Sequence, residues 1–289
     1  MNLFITILLL SSLVFISLGA SGGLKLTTVH FGPTPFQKKI VNWFEERGKR
    51  KWDDNWDFRD PLAIAEHKRE LTGMTSEQIK ELIANYKPNA TRNILLVRHG
   101  QYFSKNKKEA QKTLTPLGRE QAEFLGKRLS KPNNLFKIDN CVFSTFMRAR
   151  ETGEIIVKQM PHLKTECTVD KMLEEGAPYP PEPPVSESNF KSARFSREMA
   201  RVEAAFRKYF HRAKLSQKND SYEIIVCHAN IIRYFVFRAL QFPPEGWARL
   251  SLAHTSITWI IIPPDGRVDV KAVGDFGHLP SGKITFNNI

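Results

Sequence analysis

Short apolar runs alternating with amphipathic stretches predict an α/β protein with a mostly parallel sheet covered on both faces. Three observations carry this reading. Residues 94–97, 140–144 and 222–227 are strand-length and rich in Leu, Ile, Val and Phe, as strands buried on both faces are. Helical spacing returns after each of them. Each run also ends at or shortly before residues with chemistry to offer: Arg98-His99-Gly100, Arg148 and His228. In open α/β sheets the carboxyl ends of the strands form the edge where ligands bind.

At 289 residues the chain can bury one sizeable core plus an extra segment. The hydrophobic content of 41% is ordinary, whereas the net charge of +13 is not. Such a balance favours acidic partners: phosphorylated protein, an anionic membrane surface or nucleic acid. The basic residues are scattered and no nucleic-acid-reading motif is present, so nucleic acid is not an expected partner. Cys141, Cys167 and Cys227 are odd in number and show no paired spacing, which argues for reduced, buried thiols. No metal-ligand spacing is visible, and neither a metal nor a cofactor is expected.

Residues 1–24 contain no charged side chain, and 3–18 are mostly Leu, Ile, Val and Phe. A membrane-spanning helix needs ~20 apolar residues, so the stretch is just long enough for an N-terminal transmembrane anchor. The rival is a cleaved signal peptide ending near Ser17-Leu18-Gly19. The missing basic start and the unpaired cysteines favour the retained anchor. Residues 25–90 form a separate linker region with Trp52-Asp53-Asp54-Asn55-Trp56-Asp57 in its middle. Two tryptophans four apart would share one face of a helical turn. The segment is either an arm packed on its own domain or an oligomerisation device, since tryptophan is enriched at interface hot spots. A short helix over 75–84 then leads into a catalytic domain, 91–289.

Residues 102–113 read as a polar loop. Thr115 caps a helix with Pro116 at its first position and a stripe of Leu117, Phe124, Leu125 and Leu129. Five prolines between Gly176 and Pro184 predict a stiff surface loop directly after Glu174-Glu175. Over 197–213, Val202, Phe206, Tyr209 and Phe210 recur at helical spacing. His228 precedes a helix over 231–240, standing where helix amide groups point. Residues 256–262 supply a last strand, followed by a Pro-Pro-Asp-Gly turn.

Alone, each of these polar residues is more often structural than catalytic. Together they are what metal-free phosphoryl transfer requires. A neutral histidine attacks phosphorus and splits one displacement into two. Arginines grip the phosphoryl oxygens and offset transition-state charge. A carboxylic acid protonates the leaving alkoxide and later takes a proton from water. Spacing does not choose between Glu174 and Glu175.

Four motifs carry a resemblance: Leu96-Val97-Arg98-His99-Gly100, Leu114-Thr115-Pro116-Leu117-Gly118 with Gln121-Ala122, Ser144 with Arg148-Ala149, and Cys227-His228-Ala229-Asn230. They resemble the histidine phosphatase superfamily, phosphoglycerate mutase branch, over about residues 91–285. The resemblance implies a three-layer α/β/α sandwich. It implies that His99 is phosphorylated, that Arg98, Arg148 and His228 line the phosphate pocket, and that Glu175 is the acid and base. The apolar N-terminus, the motif built on Trp52, Asp53, Asn55, Trp56 and Asp57, and the run from Ala239 to Trp247 narrow it further. They resemble a subgroup of mitochondrial, membrane-anchored serine/threonine-protein phosphatases whose Trp-Asp motif drives an activating homo-oligomer. Phosphoproteins are then the substrates and a mitochondrial membrane the location, the outer membrane favoured and the inner left open. Sugar-phosphate mutases carry Glu-Ser and then Trp-Asn after Arg-His-Gly, where this chain reads Gln101-Tyr102-Phe103-Ser104-Lys105. That departure disfavours the competing mutase or small-molecule phosphatase. A scaffold with incidental phosphatase activity is the other competitor.

Overall fold

The computed structural model describes residues 5–9, 12–18, 24–30, 52–131, 136–161, 163, 165–184 and 192–286, with backbone alone for 5–30 and 192–196. They fall into two units, Met1–Asp53 and Asp54–Ile289. In the first, β1 (Ile5–Leu9), β2 (Ser12–Leu18) and β3 (Leu24–His30) make an antiparallel meander, with Ile5 opposite Ile16 and Ser12 opposite His30. This differs from the spanning helix expected over residues 1–24. Isoleucine, valine and threonine recur along the stretch and suit an extended chain, and an apolar run alone does not separate strand from helix. Among the described residues no helix is long and apolar enough to cross a membrane.

The second unit opens with α1 (Pro61–His67), capped by Asp60, and α2 (Ser76–Tyr86), opened by a capping box between Thr75 and Gln78. Six strands follow: β4 (Arg92–Arg98), β5 (Asn140–Ser144), β6 (Thr168–Asp170), β7 (Ser221–Cys227), β8 (Ile257–Ile262) and β9 (Asp269–Asp275). Their order across the sheet is β6-β5-β7-β4-β8-β9. The first four of that order are parallel, and β8 and β9 join antiparallel, so the sheet is mostly parallel with an antiparallel edge. β9 is not visible as a strand in the sequence, because an edge strand with Asp269, Lys271 and Asp275 lacks an apolar run.

Side chains of a strand alternate between faces, and the core follows that alternation. Leu95 and Val97 of β4, Phe143 of β5 and Ile224 and Val226 of β7 share a core cluster with Ala122, Leu125, Leu129, Ala149 and Ile156. These last belong to α3 (Pro116–Leu129) and α4 (Met147–Lys158). Ile94, Leu96 and Ile225 are as fully buried on the other face. There α5 (Ser192–Tyr209) packs against α6 (Ala229–Ala239), and α6 against β4. Phe206 stacks on Phe210 at 4.8 Å, and Phe235 lies 5.1 Å from Phe210. The result is the three-layer α/β/α sandwich that the resemblance implied.

Three sequence expectations are corrected or sharpened. Residues 54–57 form a turn rather than a helix, so Trp52 and Trp56 do not share a helical face. Trp56 is 2% exposed; its Nε1 donates to Gly266 O at 2.8 Å and its ring lies 6.0 Å from Phe206. Asp57 accepts from the Arg212 backbone N–H at 2.7 Å and from the Arg212 guanidinium at 2.5 Å, while Arg212 also donates to Asp54 O at 2.6 Å. Trp56 and Asp57 are thus seated on their own domain rather than presented outward.

The cysteines are not all reduced: Cys141 and Cys167 form a disulfide with Cα atoms 4.8 Å apart, and only Cys227, among the described residues, is a free, buried thiol. The reason is register. Val142 of β5 pairs with Thr168 of β6, so the residue before each lies side by side across 26 positions of sequence. The proline-rich stretch is strapped down. Trp247 Nε1 donates to Tyr179 O at 2.9 Å and Glu182 N–H to Glu245 O at 2.8 Å.

Candidate active site

Register also builds the site. β4 and β7 pair with Arg98 opposite Cys227, and the next residue of each strand is a histidine. His99 N–H donates to Cys227 O at 3.0 Å, and the two imidazoles lie 5.1 Å apart. β5, on the other side of β7, ends at Ser144, whose Oγ lies 2.8 Å from His228 Nε2. Gly100 turns the chain away from the edge. A Cβ there would come within 2.6 Å of Gly118 O, so the close approach of the α3 start requires glycine. Its N–H donates to Thr152 Oγ1 at 3.0 Å, tying the turn to α4.

His99 is 2% exposed, and its Nδ1 lies 2.8 Å from Gly100 O. A carbonyl only accepts, so Nδ1 carries the proton and Nε2 keeps its lone pair. Burial, then the neighbouring His228, Arg148, Arg98 and His254, holds the His99 pKa well below 6.5, which keeps the ring neutral. Burial and the same two arginines hold His228 low as well, and its Nδ1 has no partner. Tyr102 meets His99 edge-on at 4.9 Å, Phe146 meets His228 at 5.3 Å, and His254 lies 5.7 Å from His99. His254 is placed by Thr255, whose φ of 58° is an outlier for a β-branched residue; its N–H donates to Arg98 O at 3.1 Å.

Positive charge is concentrated at this edge. Arg98 is 3% exposed, donates to Leu252 O at 2.5 Å and leaves Nε without a partner. Burial lowers its pKa to about 10 despite the opposing pull of Glu175. Arg148 stands in the first turn of α4, where the helix dipole favours anions over cations. Its guanidinium is sandwiched by Tyr102 and Phe146, each ring at 4.8 Å, and pairs with Glu109 at 2.8 Å. Glu175 feels both arginines and Arg233, yet burial outweighs them and raises its pKa above 4.5. Glu174 instead accepts from Thr145 Oγ1 at 2.5 Å, so geometry separates the two adjacent glutamates. The loop carrying them is clamped by Arg201, which donates to Met172 O at 2.7 Å and Glu174 O at 2.8 Å. Asn230 adds a bond to Gly176 O at 3.2 Å.

Arg98, His99, Arg148, Glu175 and His228 are therefore brought to one edge. Trp52, Asp53, Asn55, Trp56 and Asp57 are not part of it. Sequence reasoning missed Glu109, Tyr102, Phe146, Arg233 and His254, which sit in loops or mid-helix with no motif spacing. Only the charge of Arg233, five positions after His228 on the same helix, offered a signal.

Residues 94–275 match the family model described as "Histidine phosphatase superfamily (branch 1)". A Caenorhabditis elegans protein named "Serine/threonine-protein phosphatase Pgam5, mitochondrial" is 52% identical over 244 residues, 84% of either chain. A Homo sapiens protein named "Serine/threonine-protein phosphatase PGAM5, mitochondrial" is 47% identical over 239 residues, covering 82% of this chain and 81% of its own. A crystal structure of phosphoglycerate mutase from Plasmodium falciparum aligns with TM-score 0.47 and 31% identity, over 67% of this chain and 96% of that one. With residues 94–275 matched, the chain belongs to the histidine phosphatase superfamily, branch 1.

Proposed function

We propose that this protein is a mitochondrial serine/threonine-protein phosphatase working through a phosphohistidine on His99. The observation that carries the reading is a neutral, buried imidazole with a free Nε2 lone pair, set among arginines whose Nε donors are unpartnered. Relatives 47% and 52% identical bear that activity in their names, and the polar run 101–105 departs from the mutase pattern. In the first step His99 Nε2 bonds to phosphorus as the serine oxygen leaves with a proton from Glu175. The raised pKa of Glu175 suits a proton donor. Arg98 and Arg148 hold the phosphoryl oxygens, and His228 Nδ1–H joins them when Ser144 donates to Nε2. In the second step water attacks phosphorus, Glu175 takes its proton, and the N–P bond breaks to release phosphate. The cationic side chains supply the charge that a divalent metal supplies elsewhere, so the chemistry is metal-independent.

Two finer features belong to the same proposal. The charge-free apolar residues 1–24 attach the protein to a mitochondrial membrane, the outer in preference to the inner. The Trp-Asp segment assembles the active homo-oligomer, its seat on Arg212 and Phe206 accepting the segment from the same chain or from a second copy. The test is turnover of a phosphoserine peptide against 3-phosphoglycerate, with acid-labile phosphate mapped after brief exposure. Phosphate on His99 and preference for the peptide are expected. Label elsewhere, or faster turnover of 3-phosphoglycerate, would overturn the reading.

A further inference from the structure

We propose that Glu109 is a specificity-determining residue: a removable internal ligand of Arg148 that admits phosphoryl dianions and turns carboxylates away. The identity of the pocket rests on the phosphatase reading above. Residues 103–113 form a loop closed at its neck by the Tyr102–Leu114 bridge and by Phe103 N–H donating to Thr113 O at 3.0 Å. Glu109 lies on that loop, and its Oε2 accepts from Arg148 at 2.8 Å while its Oε1 pairs with Lys112. The partners are unequal. The Arg148 side chain is 5% exposed and that of Glu109 is 44% exposed. Arg148 is also held independently of Glu109, between the rings of Tyr102 and Phe146. Glu109 can therefore swing into solvent while the guanidinium stays in place.

Burial works to raise the Glu109 pKa, but Lys112 and Arg148 outweigh it and keep the carboxyl below its ordinary range. It is ionised at neutral pH. An incoming aspartate or glutamate would replace a carboxylate with a carboxylate, gaining no charge and losing the freedom of the bound chain. A phosphomonoester carries about −1.5 to −2 charges at pH 7 and three acceptor oxygens, so it gains on exchange. The filter matters because the same loop exposes Lys105, Lys107 and Lys108, on a chain of net charge +13 that attracts acidic segments whether phosphorylated or not.

Glu109→Gln tests this with a phosphoserine peptide and its counterpart bearing glutamate in place of phosphoserine. Removing a part-exposed ion pair should lower KM for the phosphopeptide by about fivefold. The glutamate peptide, inert towards the unaltered protein, should become a competitive inhibitor. A raised KM, a lowered kcat at constant KM, or equal inhibition of both proteins would make Glu109 a support for Arg148 and overturn the filter. Orthophosphate binding by calorimetry separates this from the phosphatase reading. If neither protein turned over the phosphopeptide, that reading would fall. Tighter orthophosphate binding by the variant would still support the filter, and unchanged or weaker binding would sink it.

Discussion

Arg212 and Arg148 are withdrawn from water to a similar degree, with side chains 1% and 5% exposed. Their partners differ. The Asp57 side chain is 0% exposed and binds both the backbone and the guanidinium of Arg212, which also reaches Asp54 O. Glu109 is 44% exposed and holds Arg148 by one oxygen. The first pair is closed on both sides and has nowhere to go, so it fixes one segment on another. The second can open, and Arg98 beside it donates to the Leu252 carbonyl and leaves Nε unpartnered among the described residues. A buried cation with an immobile carboxylate is architecture, whereas one with a mobile or missing carboxylate is a place for an anion. Removing one partner of a buried pair leaves an uncompensated charge, and the two regions should respond oppositely to that operation.

The largest effect should come from His99→Ala, which removes the proposed nucleophile and leaves both arginines untouched. Turnover of a phosphoserine peptide should fall at least about 10³-fold with the unfolding midpoint nearly unchanged. Retention of a few per cent of activity would rule out the covalent route.

Arg212→Met should come next. It strands the Asp57 carboxylate, at an expected cost of about 3–5 kcal/mol in urea unfolding. Adding Asp57→Asn should recover part of that loss. If the double variant were no more stable than the single, the closed-pair account of Arg212 would be wrong.

Arg148→Met should cost activity rather than stability. Loss of the proposed phosphoryl-oxygen donor predicts about 10²–10³-fold lower kcat/KM. Because it removes a cation from a helix N-terminus, the unfolding midpoint should hold or rise. A destabilisation as large as that of Arg212→Met would erase the contrast between the two regions.

The smallest effect concerns pH. Burial, helped by Arg92 and by Arg128, lowers His211 and His278 to about 4, and His99 and His228 also lie well below 6.5. Between pH ~6.5 and ~4 the unfolded chain binds protons that the folded chain does not, so stability rises with pH across that window. Acid should therefore destabilise the protein progressively from about pH 6.5 downwards. A flat unfolding free energy between pH 7 and 5 would contradict the neutral, buried imidazoles.

Much of the fold and most of the candidate site were legible in the sequence, for local reasons. The runs around Leu95, Val142 and Ile225 are strand-length and bounded by helical spacing on either side, and that context, more than their apolarity, marks them as buried strands. Thr115-Pro116 is a helix start in any context. Arg98-His99, Arg148 and His228 each follow a strand, and strand ends of a parallel sheet point the same way.

What only the tertiary structure decided depends on which strands become neighbours and in which register. Pairing of Arg98 with Cys227 brings His99 beside His228, and pairing of Val142 with Thr168 joins Cys141 to Cys167 where spacing suggested free thiols. The two adjacent glutamates are told apart by one side chain, that of Glu174, being taken by Thr145. Trp56 and Asp57 lie on their own domain because Arg212, 155 residues later in the chain, needs an acceptor. The strands over residues 5–30 were equally hidden, since apolar composition reports burial from water and not the backbone geometry that achieves it. Local sequence sets which groups are available; register and long-range packing set which of them meet.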